Sequence, residues 1–438
     1  MPPSSLNPGE TMTFLLDRRT ALKGSVAAGA VALVNPVVFG QSTKASSDKL
    51  NVAVIGLGGQ GKGNLNAVSK ENVVALCDVD DERAGDAYSR FPQARKFYDF
   101  REMFDKMERE IDAVVISTPD HTHFHPARQA ISLGKHVYLE KPMAHSVWEV
   151  RELTQLAAEK KVATQLGVQR HTLKSVHDAV EIIRAGVIGD VTTVHSWVGG
   201  DRGMPALPKT NPPVPESLKW DLWLGPAADR PYAKEYVPYN WRFWWDFGTG
   251  EAGNWGCHIL DIPFWALGLT YPTKVSGGGP EQDPQRTPKS LHTKFAFPAS
   301  DSRPGIELHW YHGTPPILKE LGIEKPRGNT LFIGTEGMLL AGFESVQLLP
   351  SGKFVDFKMP EPTIPRSPGF HREWLNACRG GEMATCDFSY TGPLTETVLL
   401  GNVGYRAGEF DWNAKTLKAS TDIAQSMIRT KFRAGWEV

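Results

Sequence analysis

Three glycines, Gly56, Gly58 and Gly61, stand at the end of a short β-branched apolar run over 51–55. Their G-x-G-x-x-G spacing suits a diphosphate. The first glycine permits a tight turn, the second lets the backbone approach a pyrophosphate, and the third lets the following helix pack close to its strand. The start of that helix offers free N–H groups to phosphate oxygens, and Gln60 within the turn joins the candidate cofactor set. A second apolar run, 73–77, ends at Asp78, where an acid about 20 residues after the glycines would hold a ribose 2′-OH. The acidic stretch over 78–82 would repel a 2′-phosphate, which favours NAD over NADP, although Arg83 adjoins it.

Further along, strand-like runs end in residues with chemistry of their own. The run 112–117 leads into Thr118-Pro119-Asp120-His121-Thr122-His123. Ligands of open α/β sheets sit beyond the carboxyl ends of the strands, so Ser117, Thr118, Pro119 and His123 are candidates to face the cofactor. His121, His123 and His125 invite a metal, but no carboxylate or cysteine cluster completes a ligand set. No metal is expected, and His123 is read as the cap of the next helix. The run 136–139 ends in Glu140-Lys141-Pro142, and the run 163–167 is followed by Gln169 and Arg170. Arg170 could clamp substrate hydroxyls or serve as a domain contact.

Taken together, the glycine fingerprint, Asp78, the Thr118-Pro119 turn with His123, and Glu140-Lys141-Pro142 resemble the Gfo/Idh/MocA oxidoreductase family. The resemblance extends over everything after residue 41. It implies a Rossmann domain followed by an α/β domain with a large open, mostly antiparallel sheet, and NAD-dependent chemistry on sugars, glycosides or cyclitols. The family's catalytic lysine falls on Lys141. A lysine partly desolvated beside a nicotinamide has a lowered pKa and can exchange a proton with a substrate hydroxyl. In the second half, Gly253-Asn254-Trp255-Gly256-Cys257-His258 resembles the family's other catalytic motif, with His258 as the catalytic histidine. Most sugar dehydrogenases of the family carry aspartate where this chain has Asn254, and asparagine hydrogen-bonds without carrying charge. One branch, the NAD-dependent α-N-acetylgalactosaminidases, resembles this chain in its export signal and histidine. It implies a redox-neutral alternative in which a glycoside is oxidised, loses its aglycone, takes up water and is reduced again. A secreted sugar-binding protein without turnover is the non-enzymatic alternative.

Seven of the thirteen tryptophans fall between Trp220 and Trp265. Indole faces stack on pyranose C–H faces, so two or three are expected to touch a carbohydrate while the rest fill core. The substrate set is Arg170, Trp241, Arg242, Asn254, Trp255 and His258.

These residues must be positioned by alternating strands and helices over 50–169, an NAD-binding Rossmann domain. The region 170–438 follows as a substrate-binding and oligomerisation domain, and homo-oligomers through its sheet are expected. Helices are predicted over 82–91, 126–133, 176–185, 370–378 and 394–407. A strand over 191–197 alternates as a sheet buried on one face should, and the Pro-rich stretch 204–215 reads as a surface loop. Residues 1–41 resemble a twin-arginine export signal: Arg18-Arg19 precede an Ala/Gly-rich apolar run too short to span a bilayer. A periplasmic location is expected, or a cytoplasmic one if that reading fails.

The 438 residues suffice for two domains, with 41% hydrophobic and 22% charged residues typical of globular proteins. A net charge of −1 gives no sign of a nucleic-acid or membrane-surface partner. Cys77, Cys257, Cys378 and Cys386 lack metal-ligand spacing, and pairing of the last two stays open.

Overall fold

The computed structural model describes residues 49–438; the export-signal reading over 1–41 lies outside them. Short runs of Val, Ile, Ala and Leu form six parallel strands: β1 (Asn51–Ile55), β2 (Asn72–Cys77), β3 (Arg95–Phe97), β4 (Ala113–Ile116), β5 (His136–Leu139) and β6 (Thr164–Leu166). Their order is β3-β2-β1-β4-β5-β6. Val52, Ala53, Val54 and all of β4 are fully buried, as expected of central strands covered by helices on both faces. The order reverses direction between β1 and β4. That switch point opens a crevice at the strands' carboxyl ends, into which the glycine turn and the 117–123 turn both project.

Helix starts are set by local chemistry. The Asp80 side chain accepts from the N–H groups of Glu82 and Arg83 to start Asp81–Arg90, and Asp99 caps Phe100–Met107. Ser146 and Glu149 form a capping box ahead of Val147–Lys160.

The second sheet holds β7 (Val191–Val198), β8 (Lys274–Gly278), β9 (Leu291–Phe297), β10 (Ile306–His312), β11 (Thr330–Gly334), β12 (Met338–Ala341), β13 (Val346–Leu349), β14 (Phe410–Asn413) and β15 (Lys418–Ala419). Its order is β13-β12-β11-β7-β10-β9-β8-β14-β15, antiparallel throughout except between β7 and β10. β7 departs from the one-face expectation: Val194, His195, Ser196 and Trp197 are all buried. Trp197, Tyr311, Leu318, Leu331 and Leu340 form a separate apolar cluster on that sheet, so both faces are covered near the end of β7.

The helix expected over 394–407 begins earlier, as Phe388–Ala407. In the structure a Cβ on Gly392 would lie 2.4 Å from Thr154 Oγ1, so the glycine permits close packing on Val147–Lys160. Arg151 and Glu396 join the same two helices through a buried bidentate pair, with both N–H···O distances 2.7 Å. All four cysteines are buried free thiols, so Cys378 and Cys386 are not joined. Among the described residues no helix is long and apolar enough to cross a membrane.

Candidate active site

The crevice is a cavity of about 770 Å³ running from Asp78 at one end to Lys141 and His258 at the other. Gly56 adopts φ +84°, and a Cβ there would meet the Ser117 carbonyl at 2.6 Å. A Cβ on Gly58 would meet the Arg83 guanidinium at 2.6 Å. The turn is fixed from behind by Asp78, whose Oδ2 accepts from Leu57 N at 2.7 Å while Oδ1 accepts from Asp80 N at 3.0 Å. A backbone stripped of side chains at a helix start, with a carboxylate at the next strand end, fits a dinucleotide. Gly56, Gly58, Gln60, Asp78, Ser117, Thr118, Pro119, Glu140, Lys141 and Gln169 all line the cavity.

Two residues of the expected cofactor set do not line it. Gly61 sits behind the turn, where a Cβ would fall 2.1 Å from the Gly56 carbonyl oxygen. His123 is buried, and its side chain makes no cap hydrogen bond to the helix Phe124–Ser132. Its Nδ1 and Nε2 lie 2.7 and 2.8 Å from the carbonyls of Pro142 and Thr118, tying the β4 and β5 turns together. His121 is likewise spent on the carbonyls of Phe247 and Trp223, while His125 uses Nε2 on that of Trp436 and keeps a buried Nδ1 without a partner among the described residues. The three rings therefore do not converge on a common point of ligation.

Lys141 leaves the end of β5 and is half-buried at the crevice. Its Nζ donates to Asn254 O at 2.8 Å and to Asn254 Oδ1 at 3.0 Å, both neutral acceptors. Burial pushes its pKa below the ordinary lysine value, opposed by the charges of Glu140 and Asp120. Asn254 is carried by a π-helical turn, Ala252–Gly256, which runs directly into the helical turn bearing His258; such turns recur at functional sites. His258 is held well below its usual pKa by burial and by the charges of Lys141 and Arg170. Its Nδ1 is buried without a hydrogen-bond partner.

Behind Glu140 lies a polar layer in which Asn64 and His371 were not singled out from sequence. Glu140 Oε1 accepts from Asn64 Nδ2 at 3.0 Å and from Gln169 Nε2 at 2.7 Å. Asn64 also donates to Ser117 Oγ, and His371 Nε2 lies 3.0 Å from Asn64 Oδ1 while stacking on Tyr138. Gly167 is required beside this network, since a Cβ would stand 2.5 Å from Glu140 Oε1. The only sequence trace of Asn64 is a polar residue three positions after Gly61, on the helix face that packs inward.

The tryptophans divide. Trp220, Trp223, Trp241 and Trp244 build a second aromatic core with Tyr236 and Phe247, and Trp265 stacks on His171 at 3.9 Å. Trp223, Trp241 and Trp255 also line the cavity. Arg242 lies over Trp241 at 4.2 Å and Arg170 over Trp255 at 5.1 Å. One face of each of those two indoles therefore supports a guanidinium.

The far end is closed by segments remote in sequence. Lys219 N donates to Val79 O, and Asp81 N donates to Ser217 O. The C-terminal Trp436 packs on Phe100 and Arg101 and accepts at its carbonyl from His125 Nε2, while Arg433 pairs with Asp221 and Asp229.

A parallel sheet with a glycine turn at its switch point, faced by the loops and helical turns between Arg202 and His258 that supply the opposite wall, defines a two-part dinucleotide-binding architecture. The chain belongs to the Gfo/Idh/MocA oxidoreductase family: residues 50–168 match its NAD-binding Rossmann fold and residues 186–363 its C-terminal alpha/beta domain. It is 27% identical over 152 residues to inositol 2-dehydrogenase of Salmonella typhimurium, covering 33% of this chain and 45% of that protein. It is 31% identical over 169 residues to a glycosyl hydrolase family 109 protein of Streptomyces coelicolor, covering 34% of each. The WlbA dehydrogenase of Bordetella pertussis, solved with NADH and UDP-GlcNAcA, shares the fold with TM-score 0.60 and 17% identity, over 83% of this chain and 99% of that one. The first curated relatives are matched over a quarter to about half of their length.

Asn254 gives a direct test of the lysine's environment. Replacing it with aspartate, Asn254→Asp, puts a negative charge against Nζ and favours the ammonium form. The rise of kcat/KM with pH in the oxidising direction should then move to higher pH, with activity at neutral pH reduced. An unchanged profile would show that this contact does not set the lysine's proton affinity.

Proposed function

We propose that the protein oxidises or reduces a hydroxyl-bearing ring carbon of a sugar-like substrate, with NAD held in the crevice between Asp78 and Lys141. When bound, NAD supplies the hydride acceptor. The observation that carries this reading is Lys141 Nζ, half-buried in the crevice at the end of β5 and bonded, among the described residues, only to neutral oxygens. A partly desolvated lysine so placed gives up its proton readily and can take one from a substrate hydroxyl. Asn254 aims the amine. Neutral His258 lines the same cavity and can donate to or accept from the same substrate. Glu140 and Gln169 hold the loop from which Lys141 projects. The site-residue roles, the two-domain division and assembly through the second sheet belong to this proposal.

The test is to denature purified protein and chromatograph the released nucleotide. NAD is expected; no dinucleotide in the preparation, together with no titration by NAD or NADP, would contradict the reading.

The closed far end of the cavity favours a retained cofactor. Trp436→Ala removes one wall, worth about 1.5–3 kcal/mol for a buried apolar side chain. It should speed NAD loss during gel filtration about tenfold or more; equal retention would place the wall elsewhere. Such retention, with the resemblance of residues 1–41 to an export signal, would favour redox-neutral glycoside cleavage as the second reading, and the glycosyl hydrolase relative supports it. Release of aglycone from aryl glycosides without net change in cofactor absorbance would establish it, and cell fractionation tests the export.

A further inference from the structure

Around Lys141 and His258 the cavity carries positive charge that its acids do not neutralise. Lys141, Arg170, Arg202 and Arg242 line it. The nearby acids act elsewhere, the charges of Glu140 and Asp120 on Lys141 and that of Glu251 on Arg202. Asp120 Oδ2 accepts from Thr249 N at 3.1 Å and Thr249 Oγ1 at 2.6 Å. Glu140 accepts from Asn64 and Gln169, and Glu251 accepts from Arg202 at 2.6 Å. Arg170 and Arg242 are left without a carboxylate.

Among the described residues the Arg170 guanidinium has no hydrogen-bond or ion-pair partner. It lies over Phe343 at 4.4 Å and Trp255 at 5.1 Å. Arg242 lies over Trp241 and Tyr239 and donates one hydrogen bond, to Tyr239 O at 3.2 Å. Cation–π contacts use the guanidinium face and leave its N–H edges unspent. Both side chains are half-buried, so each has lost water without gaining a counter-ion, a cost that an anionic ligand would remove. Their charges act on His258 and Lys141 respectively, whereas Arg83 is the arginine acting on Asp78. They therefore belong to the substrate end and not to the ribose end. Asn254 extends the imbalance, because an aspartate there would have neutralised Lys141.

We propose that the substrate is an anionic sugar, whose carboxylate, sulfate or phosphate group is bound by Arg170 and Arg242 while a ring hydroxyl faces Lys141. The planar fork of arginine matches these oxyanions bidentately. The proposal rests on the oxidoreductase reading and narrows its substrate class.

The test is calorimetric binding to the purified protein. The uronates, 6-phosphates and 6-sulfates of glucose, galactose and mannose are each compared with their neutral parent. At least one charged sugar should bind about tenfold or more tightly than its parent, and its chemistry identifies the anion. Arg170→Gln and Arg242→Gln should each shrink that ratio, with nucleotide content serving as the folding control. Equal binding of charged and neutral sugars, no binding of any charged sugar, or a ratio unchanged in both variants would overturn the proposal. Reduction of bound NAD by neutral sugars alone would strike this inference and leave the oxidoreductase reading standing. Absence of dinucleotide would strike that reading instead.

Discussion

Lys141→Met should lower the rate of substrate oxidation by about 10²–10⁴-fold, the usual contribution of a positioned proton acceptor, while the protein keeps its dinucleotide. Methionine preserves the length and apolar stem of the lysine but cannot take a proton. The proposed cofactor cradle, Gly56, Gly58 and Asp78, lies at the other end of the cavity, so binding there is not expected to depend on the amine. Asn254 loses one donor and keeps access to the cavity. Rate and binding should therefore separate: single-turnover kinetics fall, and equilibrium NAD titration holds. A sugar-binding protein without turnover would show no rate to lose, and parallel loss of rate and NAD binding would mark Lys141 as structural.

Gly61→Val should abolish dinucleotide retention and lower thermal stability. The added Cβ would stand 2.1 Å from the Gly56 carbonyl oxygen and 2.8 Å from its carbon. Both are backbone atoms, so the helix Gln60–Ala67 must lift off β1. Overpacking of this kind costs about 1–3 kcal/mol, occasionally more, and it displaces the helix start that faces the phosphates. The effect comes from behind the turn, by moving the helix, and not from a side chain intruding on the pyrophosphate. Gly85→Ala is the matched control. No atom lies within 4 Å of a Cβ there, and the position is inside Asp81–Arg90. That substitution should stabilise by roughly 0.5–1 kcal/mol, so the two glycine variants are expected to move melting temperature in opposite directions.

Elements whose causes are local could be read from the chain. β1 and β5 fall where their apolar runs predict, and helix boundaries over the first half shift by a residue or two, because strand composition, glycine spacing and Asp or Ser caps act within a few positions. Lys141, Asn254 and His258 were legible through the motifs that carry them. The polar layer behind Glu140 was not, because its members meet only in three dimensions: Asn64 and His371 are 307 residues apart. The same holds for Trp436, which meets His125 from 311 residues away. Tryptophan spacing likewise could not separate indoles that fill core from those at the cavity. His123 illustrates the limit in the other direction. It falls in the expected turn, yet its ring is consumed by two backbone carbonyls, a role that residue type alone does not distinguish from a cap.

Rapid mixing of the purified, nucleotide-loaded protein with a panel of neutral and anionic sugars, followed by the near-ultraviolet absorbance of reduced nicotinamide, tests the central claim most directly. The expected result is a single-turnover rise with at least one sugar, which quickens with pH as Lys141 loses its proton and is absent in Lys141→Met. No absorbance change with any sugar, or an equal rise in Lys141→Met, would contradict the assignment of Lys141 as the proton acceptor of an NAD-dependent oxidation.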